Sequence, residues 1–404
     1  MKKTLFVAAM VGAMALGQAL AADNTGVTAK EIKIGATFPF SGPASGWSGS
    51  GKGIIAYVNY LNDQGGVGGR KINFMALDDA YSPPKTVEQT RKLVDSEGVS
   101  FIFGTLGTAT NTATARFLAS KKVPQVFILS GASKFTNVQE YPVTTTGVPS
   151  YETEGRIFAR YITDTWPAAK VALLYQNDDL GKDYLNAFRL HFGDDFAKKV
   201  TAASYEVADP TIDSQIVNLK GSGADVLFLA AAPKFAAQAI RKSHEIGFKP
   251  TIMLSQVASS IGATLTPAGL DISKGVMSSA RVKDVTDPKY KDDAAVKWYK
   301  EFMAKYAAGV DISDAEWTYG VTHGMLLEHL LKQAGNDLSR ENILKQSKNL
   351  KDVSLPLLAP GIKLNTSESN NQAFTQLQLQ RFNGTSWETF GSPVGVVQEA
   401  KAKK

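Results

Sequence analysis

The chain has 404 residues, 44 Lys and Arg against 38 Asp and Glu, a formal net charge of +6 and no cysteine. The missing thiols exclude disulfides, thiolate metal sites and cysteine nucleophiles. So mild and dispersed a positive excess, +4 once Lys2 and Lys3 are discounted, gives no argument for nucleic acid as a partner.

Residues 1–21 read as a cleavable secretory signal peptide: Lys2 and Lys3 precede an apolar run from Leu5 to Leu16, and Ala19-Leu20-Ala21 forms a small-residue cleavage site. The apolar run is shorter than the roughly 20 residues that a membrane span requires. With no cysteine at the cleavage site to carry a lipid, the expected mature protein is free and soluble. Its remaining length predicts two domains held by their own cores.

The stretch from Ile32 to Asp79 predicts one parallel β-loop-α-β unit. Strand Ile32–Phe38 leads to a Gly/Ser/Pro-rich loop from Phe40 to Gly51, a helix Ile54–Asn62, a turn Gly65-Gly-Val-Gly-Gly69 and a strand Lys71–Leu77. Open α/β sheets bind ligands at the carboxyl ends of such strands. Within the loop, Gly46-Trp-Ser-Gly-Ser-Gly51-Lys52-Gly53 nearly matches a phosphate-binding loop, but Gly53 stands where a hydroxyl should hold Mg²⁺. A ligand loop carrying Trp47 as a pocket aromatic is the better reading, with a core aromatic as the plainer alternative.

Alternation continues: helix 84–95, strand Val99–Phe103, helix Thr108–Ser120, strands Val126–Leu129 and Val143–Thr146. A second series runs from helix Tyr151–Thr165 through strand Val171–Tyr175, helix Lys182–Phe192, strand Val200–Val207 and helix Ile212–Gly221. Strand Asp225–Ala230, helix Phe235–Ile246 and strand Thr251–Leu254 complete it. This rhythm predicts α/β architecture, with two doubly wound parallel-sheet lobes. After Ser279 come helices Asp293–Tyr306, Ala315–Gln333 and Arg340–Lys348, expected to finish the first lobe, and then short strands expected to rejoin the second.

Two polar loops fall at one strand edge. Gly104-Thr-Leu-Gly107-Thr108 opens a helix, whose free N–H groups and dipole suit a carboxylate; simple capping by Thr108 or Thr110 is the plainer reading, and both can hold. The next strand ends in Leu129-Ser-Gly-Ala132-Ser133. Catalytic constellations are poor: the four histidines are scattered, and the pairs Asp78-Asp79, Asp178-Asp179 and Asp292-Asp293 read as caps or turns. No enzymatic activity, metal or cofactor is expected.

On Phe40-Ser-Gly-Pro43, Asn62-Asp-Gln-Gly-Gly-Val-Gly-Gly-Arg-Lys71, Leu77-Asp-Asp79 and Val99–Gly104 with its hydroxyl-rich turn, the chain resembles the periplasmic substrate-binding proteins of branched-chain amino acid ABC transporters. The resemblance covers nearly all of the chain after residue 21. It implies a type I periplasmic binding fold, with lobes at 29–147 plus 281–357 and 148–280 plus 358–404. Three hinge crossovers near Gly147, Ser279 and Leu358 would join them, and ligand would lie in the cleft between. By position it places the ligand carboxylate at Thr108, Ala132 and Ser133, with Gly107 also in the ligand site, an aromatic cover at Trp47, and Tyr151 near the cleft.

The departures concern the ammonium. The family's second-lobe tyrosine and glutamate fall at Ala232 and Gln256, a further tyrosine falls at Leu180, and the family's disulfide positions are Tyr81 and Gly107. The resemblance therefore implies a solute-binding protein that feeds a small carboxylate, aromatic or otherwise lacking an α-amine, to membrane permease subunits as a monomer. A branched-chain amino acid binder and a ligand sensor for a membrane receptor are the alternatives.

Overall fold

In a computed structural model, residues 23–395 are described; the expected signal peptide lies outside them. Five parallel strands make the first sheet: β1 (Glu31–Phe38), β2 (Lys71–Asp78), β3 (Phe101–Phe103), β4 (Gln125–Ile128) and β5 (Thr144–Thr146), ordered β2-β1-β3-β4-β5. Helices α1 (Ser48–Asp63), α2 (Pro83–Arg91) and α3 (Thr108–Ser120) connect them. Register is set from the first pair, Glu31 against Lys71 through Phe38 against Asp78.

The second lobe opens with α4 (Tyr151–Thr165), β6 (Val171–Gln176), α5 (Asp179–Phe192) and a short α6 (Phe196–Lys199). There follow β7 (Val200–Tyr205), α7 (Asp213–Gly221), β8 (Val226–Ala230), α8 (Pro233–Glu245) and β9 (Thr251–Leu254). Two short helices, α9 (Thr266–Ala268) and α10 (Leu270–Ser273), precede β10 (Met277–Ala280). Then come α11 (Ala294–Tyr306), α12 (Ala315–Ala334), α13 (Arg340–Ser347), β11 (Gln376–Phe382) and β12 (Trp387–Gly395). The second sheet is ordered β12-β11-β10-β9-β8-β6-β7. Its interior strand β8 is buried at every position, as a strand covered on both faces must be. The last two strands rejoin the second lobe as expected, and they do so through antiparallel pairings in an otherwise parallel sheet. They enter as a hairpin, and a hairpin needs no crossover helix.

The late helices return to the first lobe, where α12 packs along α1. Here the structure differs from the expected Gly/Ser loop: the helix begins at Ser48, six residues early. Glycine permits it by close approach rather than by ligand binding. A Cβ on Gly53 would stand 2.7 Å from the Trp317 carbonyl oxygen, and one on Gly320 2.2 Å from that of Ser50. Thus the near-match to a phosphate loop is a helix–helix contact, and it brings the start of α12 against Ser50.

Chain crossings between the lobes follow β5 and β10. Beyond β10 the segment around Arg281 pairs with a returning segment: the Ala359 amide donates to the Arg281 carbonyl at 3.0 Å, and Val282 bridges Leu358. Among the described residues, no helix is long and apolar enough to cross a membrane.

Candidate functional site

The carboxyl ends of both sheets face one cleft. It encloses about 40 Å³ and is walled by Trp47, Ser50, Tyr81, Leu106, Gly107, Leu129, Val148, Tyr151, Leu180, Val257, Arg281, Glu316 and Tyr319. That is room for about three ordered waters, so the lobes stand close together.

One end of the cleft is the start of α3. Gly107 precedes it at φ 108° and supplies no side-chain cap. The Ala109 and Thr110 amides find no acceptor among the described residues, and the Thr108 amide faces the Tyr81 hydroxyl. Thr108 Oγ1 lies 2.8 Å from Ser130 Oγ, which also accepts the Ala132 amide at 3.3 Å. Tyr81 enters from a turn in which it and Ala80 both adopt positive φ. The preceding acidic pair holds that turn: Asp78 accepts the Ala80 amide at 3.0 Å, and Asp79 the Tyr81 amide at 2.9 Å. The buried Tyr81 hydroxyl has no hydrogen-bond partner. Burial pushes the Tyr151 hydroxyl up to about 12, so it stays a neutral donor.

The other end is charged. Arg281 is 7% exposed, and its guanidinium stacks 3.8 Å above the Tyr319 ring and donates to Gln256 Oε1. The arginine ion pairs among the described residues involve Arg156, Arg160 and Arg340, and none includes Arg281. Two buried carboxyls lie within its electrostatic reach. Glu316, at the start of α12, accepts Ser50 Oγ, and burial, aided by Asp314, pushes it up to about 8 despite Ser50 and Arg281. Glu154 is pushed up to about 7 by burial, against donation from Ser279 (2.5 Å), Tyr184 and the Gln256 amide (2.9 Å).

Direct bonds join the lobes around the cleft. Trp47 Nε1 donates to the Val257 carbonyl at 2.7 Å. The Ser133 amide and hydroxyl both donate to Asp183, at 2.6 and 2.8 Å, and Lys134 pairs with Asp179 at 2.6 Å. On the far side Ser260 Oγ donates to Asp314 at 2.8 Å. Burial holds Asp183 up at about 6 even with both Ser133 donors.

Of the residues singled out from the sequence, Trp47, Gly107, Tyr151 and Leu180 stand in the wall. Thr108, Ala132 and Ser133 lie behind it, with the Ser133 donors engaged by Asp183. Ala232 is buried and donates its amide to the Tyr205 hydroxyl at 2.9 Å, while Gln256 touches the site through Arg281. Asp178 and Asp293 cap α5 and α11. Tyr81 and Gly107 stand in contact, since a Cβ on Gly107 would meet the Tyr81 ring at 2.5 Å. Sequence reasoning missed Arg281, Glu316, Ser50 and Tyr319. The one available signal was a lone charge directly after the small-residue strand Met277-Ser-Ser-Ala280.

Nothing in the wall is arranged for covalent chemistry. His323 lies behind it, its Nε2 2.6 Å from the Phe127 carbonyl, and burial pushes its pKa down to about 4. Among the described residues, no three His, Cys, Asp or Glu side chains cluster as metal ligands.

A family profile described as "Periplasmic binding protein" matches residues 31–386. A Leu/Ile/Val-binding protein homolog 7 from Brucella suis biovar 1 (strain 1330) is 24% identical over 388 residues, spanning 92% of each chain. The fold is similar to that of a branched-chain amino acid ABC transporter protein from Thermus thermophilus with bound valine. There the TM-score is 0.79 and the identity 15%, covering 92% of this chain and 98% of that one. It is also similar to a solute-binding protein from R. palustris in complex with 4-hydroxybenzoate, at TM-score 0.74 and 18% identity, covering 91% and 97%. The match to the profile spans most of the chain, which therefore belongs to the periplasmic binding protein family, a family of substrate-binding proteins and not of enzymes.

Proposed function

We propose that this protein captures a small organic acid lacking an α-amine in the cleft and delivers it to the membrane permease of an ABC importer. The lobes at 29–147 with 281–357, and 148–280 with 358–404, close on it about the hinge crossovers, and the protein works as a monomer exported to the periplasm. One observation carries the choice of ligand. Arg281 is a buried cation in the wall with no carboxylate partner, while burial drives the neighbouring Glu316 and Glu154 toward their neutral forms. An uncompensated buried charge costs about 3–5 kcal/mol, and an anionic ligand removes that cost. The wall around Trp47, Leu106, Leu129, Val148, Leu180 and Val257 suits an apolar body, aromatic or aliphatic.

A second reading is an amino acid, favoured by Glu316, a carboxyl in the wall able to meet an ammonium. Solved relatives of this fold hold valine in one case and 4-hydroxybenzoate in another, so fold alone leaves both open. Calorimetric titration with benzoate, 4-hydroxybenzoate, leucine and valine separates them. The acids are expected to bind, and micromolar binding of leucine or valine with the acids inert would overturn the proposal.

A further inference from the structure

We propose that the cleft recognises acid at both of its ends, and that its ligand is a short dicarboxylate spanning from the start of α3 to Arg281. This rests on the organic-acid reading above and makes it specific.

The two ends are independent observations. At the first, the Ala109 and Thr110 amides at the start of a 13-residue helix find no acceptor among the described residues. The Tyr81 hydroxyl, on a residue only 8% exposed, is unpartnered beside them. Amides and a hydroxyl converging on one point suit a carboxylate. At the second, a guanidinium has five N–H donors, and the structure engages Arg281 through Gln256 Oε1 and the Tyr319 face. The Gln256 Nε2 is itself buried without a partner. Glu316, held by Ser50 on one oxygen, is a neutral acid when protonated and can donate to an incoming carboxylate beside the guanidinium.

Both ends line the same wall, whose other members include Leu106, Leu129, Val148 and Leu180, and a ligand with one carboxylate for each satisfies both. A monoacid leaves either Arg281 buried without an anion or the α3 start without an acceptor, and an unsatisfied buried group is costly. A zwitterion is worse at the second end, where its ammonium would face the guanidinium. Asp178, the acidic group behind Tyr81 and Tyr151, does not block the first end. Its carboxylate is taken up by the Leu180 and Gly181 amides at the start of α5 and by Gln176 Nε2. The small enclosed volume restricts the ligand to a short body.

The test compares diacids with monoacids of the same body: succinate with butyrate, glutarate with valerate, adipate with hexanoate, and terephthalate with benzoate, by calorimetry on the wild-type protein. The diacid of fitting length is expected to bind about ten- to a hundredfold tighter than its monoacid, the worth of charge-assisted hydrogen bonds to one more carboxylate. Arg281→Gln should abolish that preference, and Arg281→Lys should restore part of it. Binding of monoacids with no diacid more than about threefold better would overturn the proposal while leaving the organic-acid reading intact. Binding of leucine or valine with every acid inert would instead defeat the reading beneath it. Should Arg281→Gln fail to fold, the wild-type series still decides.

Discussion

Raising the pH from 7 to 9 is predicted to weaken binding of an organic acid about tenfold, through Glu316. In the free protein burial and Asp314 hold this carboxyl up at about 8, while Ser50 and Arg281 pull it down. A ligand carboxylate arriving beside it repels the ionised form, so the complex retains the proton to higher pH. The free protein then binds fewer protons than the complex above pH 8. Binding takes up a proton, and affinity falls as pH rises. With a free-state value of about 8, the protonated fraction drops from about nine-tenths at pH 7 to about one-tenth at pH 9, or about 1.3 kcal/mol. Ligand carboxylates keep their charge throughout this window. The assay is calorimetry between pH 6 and 9 in buffers of differing ionisation enthalpy, which counts the protons directly. Glu316→Gln should flatten the profile. It should also raise folded stability at pH 8, by up to about 3–5 kcal/mol. The sign follows because between pH 4.5 and 8 the folded chain must keep a proton that the unfolded chain releases, so stability falls as pH rises. An affinity that rises toward pH 9 with proton release would refute the reasoning and identify an ammonium partner for Glu316.

Gln256→Glu is predicted to weaken acid binding by roughly tenfold or more, because a carboxylate placed where Oε1 meets Arg281 would neutralise the guanidinium from within; isothermal titration of the variant checks this. Asp183→Ala removes the acceptor of both Ser133 donors, so the lobes should stand further apart in solution scattering, with ligand affinity about 5- to 30-fold lower. Trp47→Ala should cost at least about tenfold in affinity by removing the aromatic wall and its bond to the Val257 carbonyl. Trp47→Phe, which keeps the ring and loses only that bond, should cost clearly less in the same titration.

Much of the fold is legible in the order of residues because burial periodicity is local. The apolar strand Ile32–Phe38 and its partner Lys71–Asp78 announce themselves, as does the all-apolar β8, and turn glycines at 65–69 mark the return between the first two. The start of α1 was not legible. Gly49, Ser50, Gly51 and Gly53 have loop composition, and only the presence of α12 alongside makes small residues the ones that fit there. Likewise the final hairpin joins the second sheet through pairing with β10, a contact across about a hundred residues that no local pattern encodes.

For the site, the sequence determined that polar loops end the strands around Gly107 and Ser133, that Trp47 stands among small residues, and that glutamine rather than glutamate occupies position 256. It could not show that Ser133 would be consumed by Asp183, or that Arg281 and Glu316 would share a wall. Those outcomes depend on which buried groups face one another once α12 lies on α1 and the chain recrosses after β10. Hydrophobic spacing fixes where each segment is buried. The charge a ligand meets is fixed by long-range approach of segments, since Coulomb interaction and desolvation depend on distance in space and not along the chain.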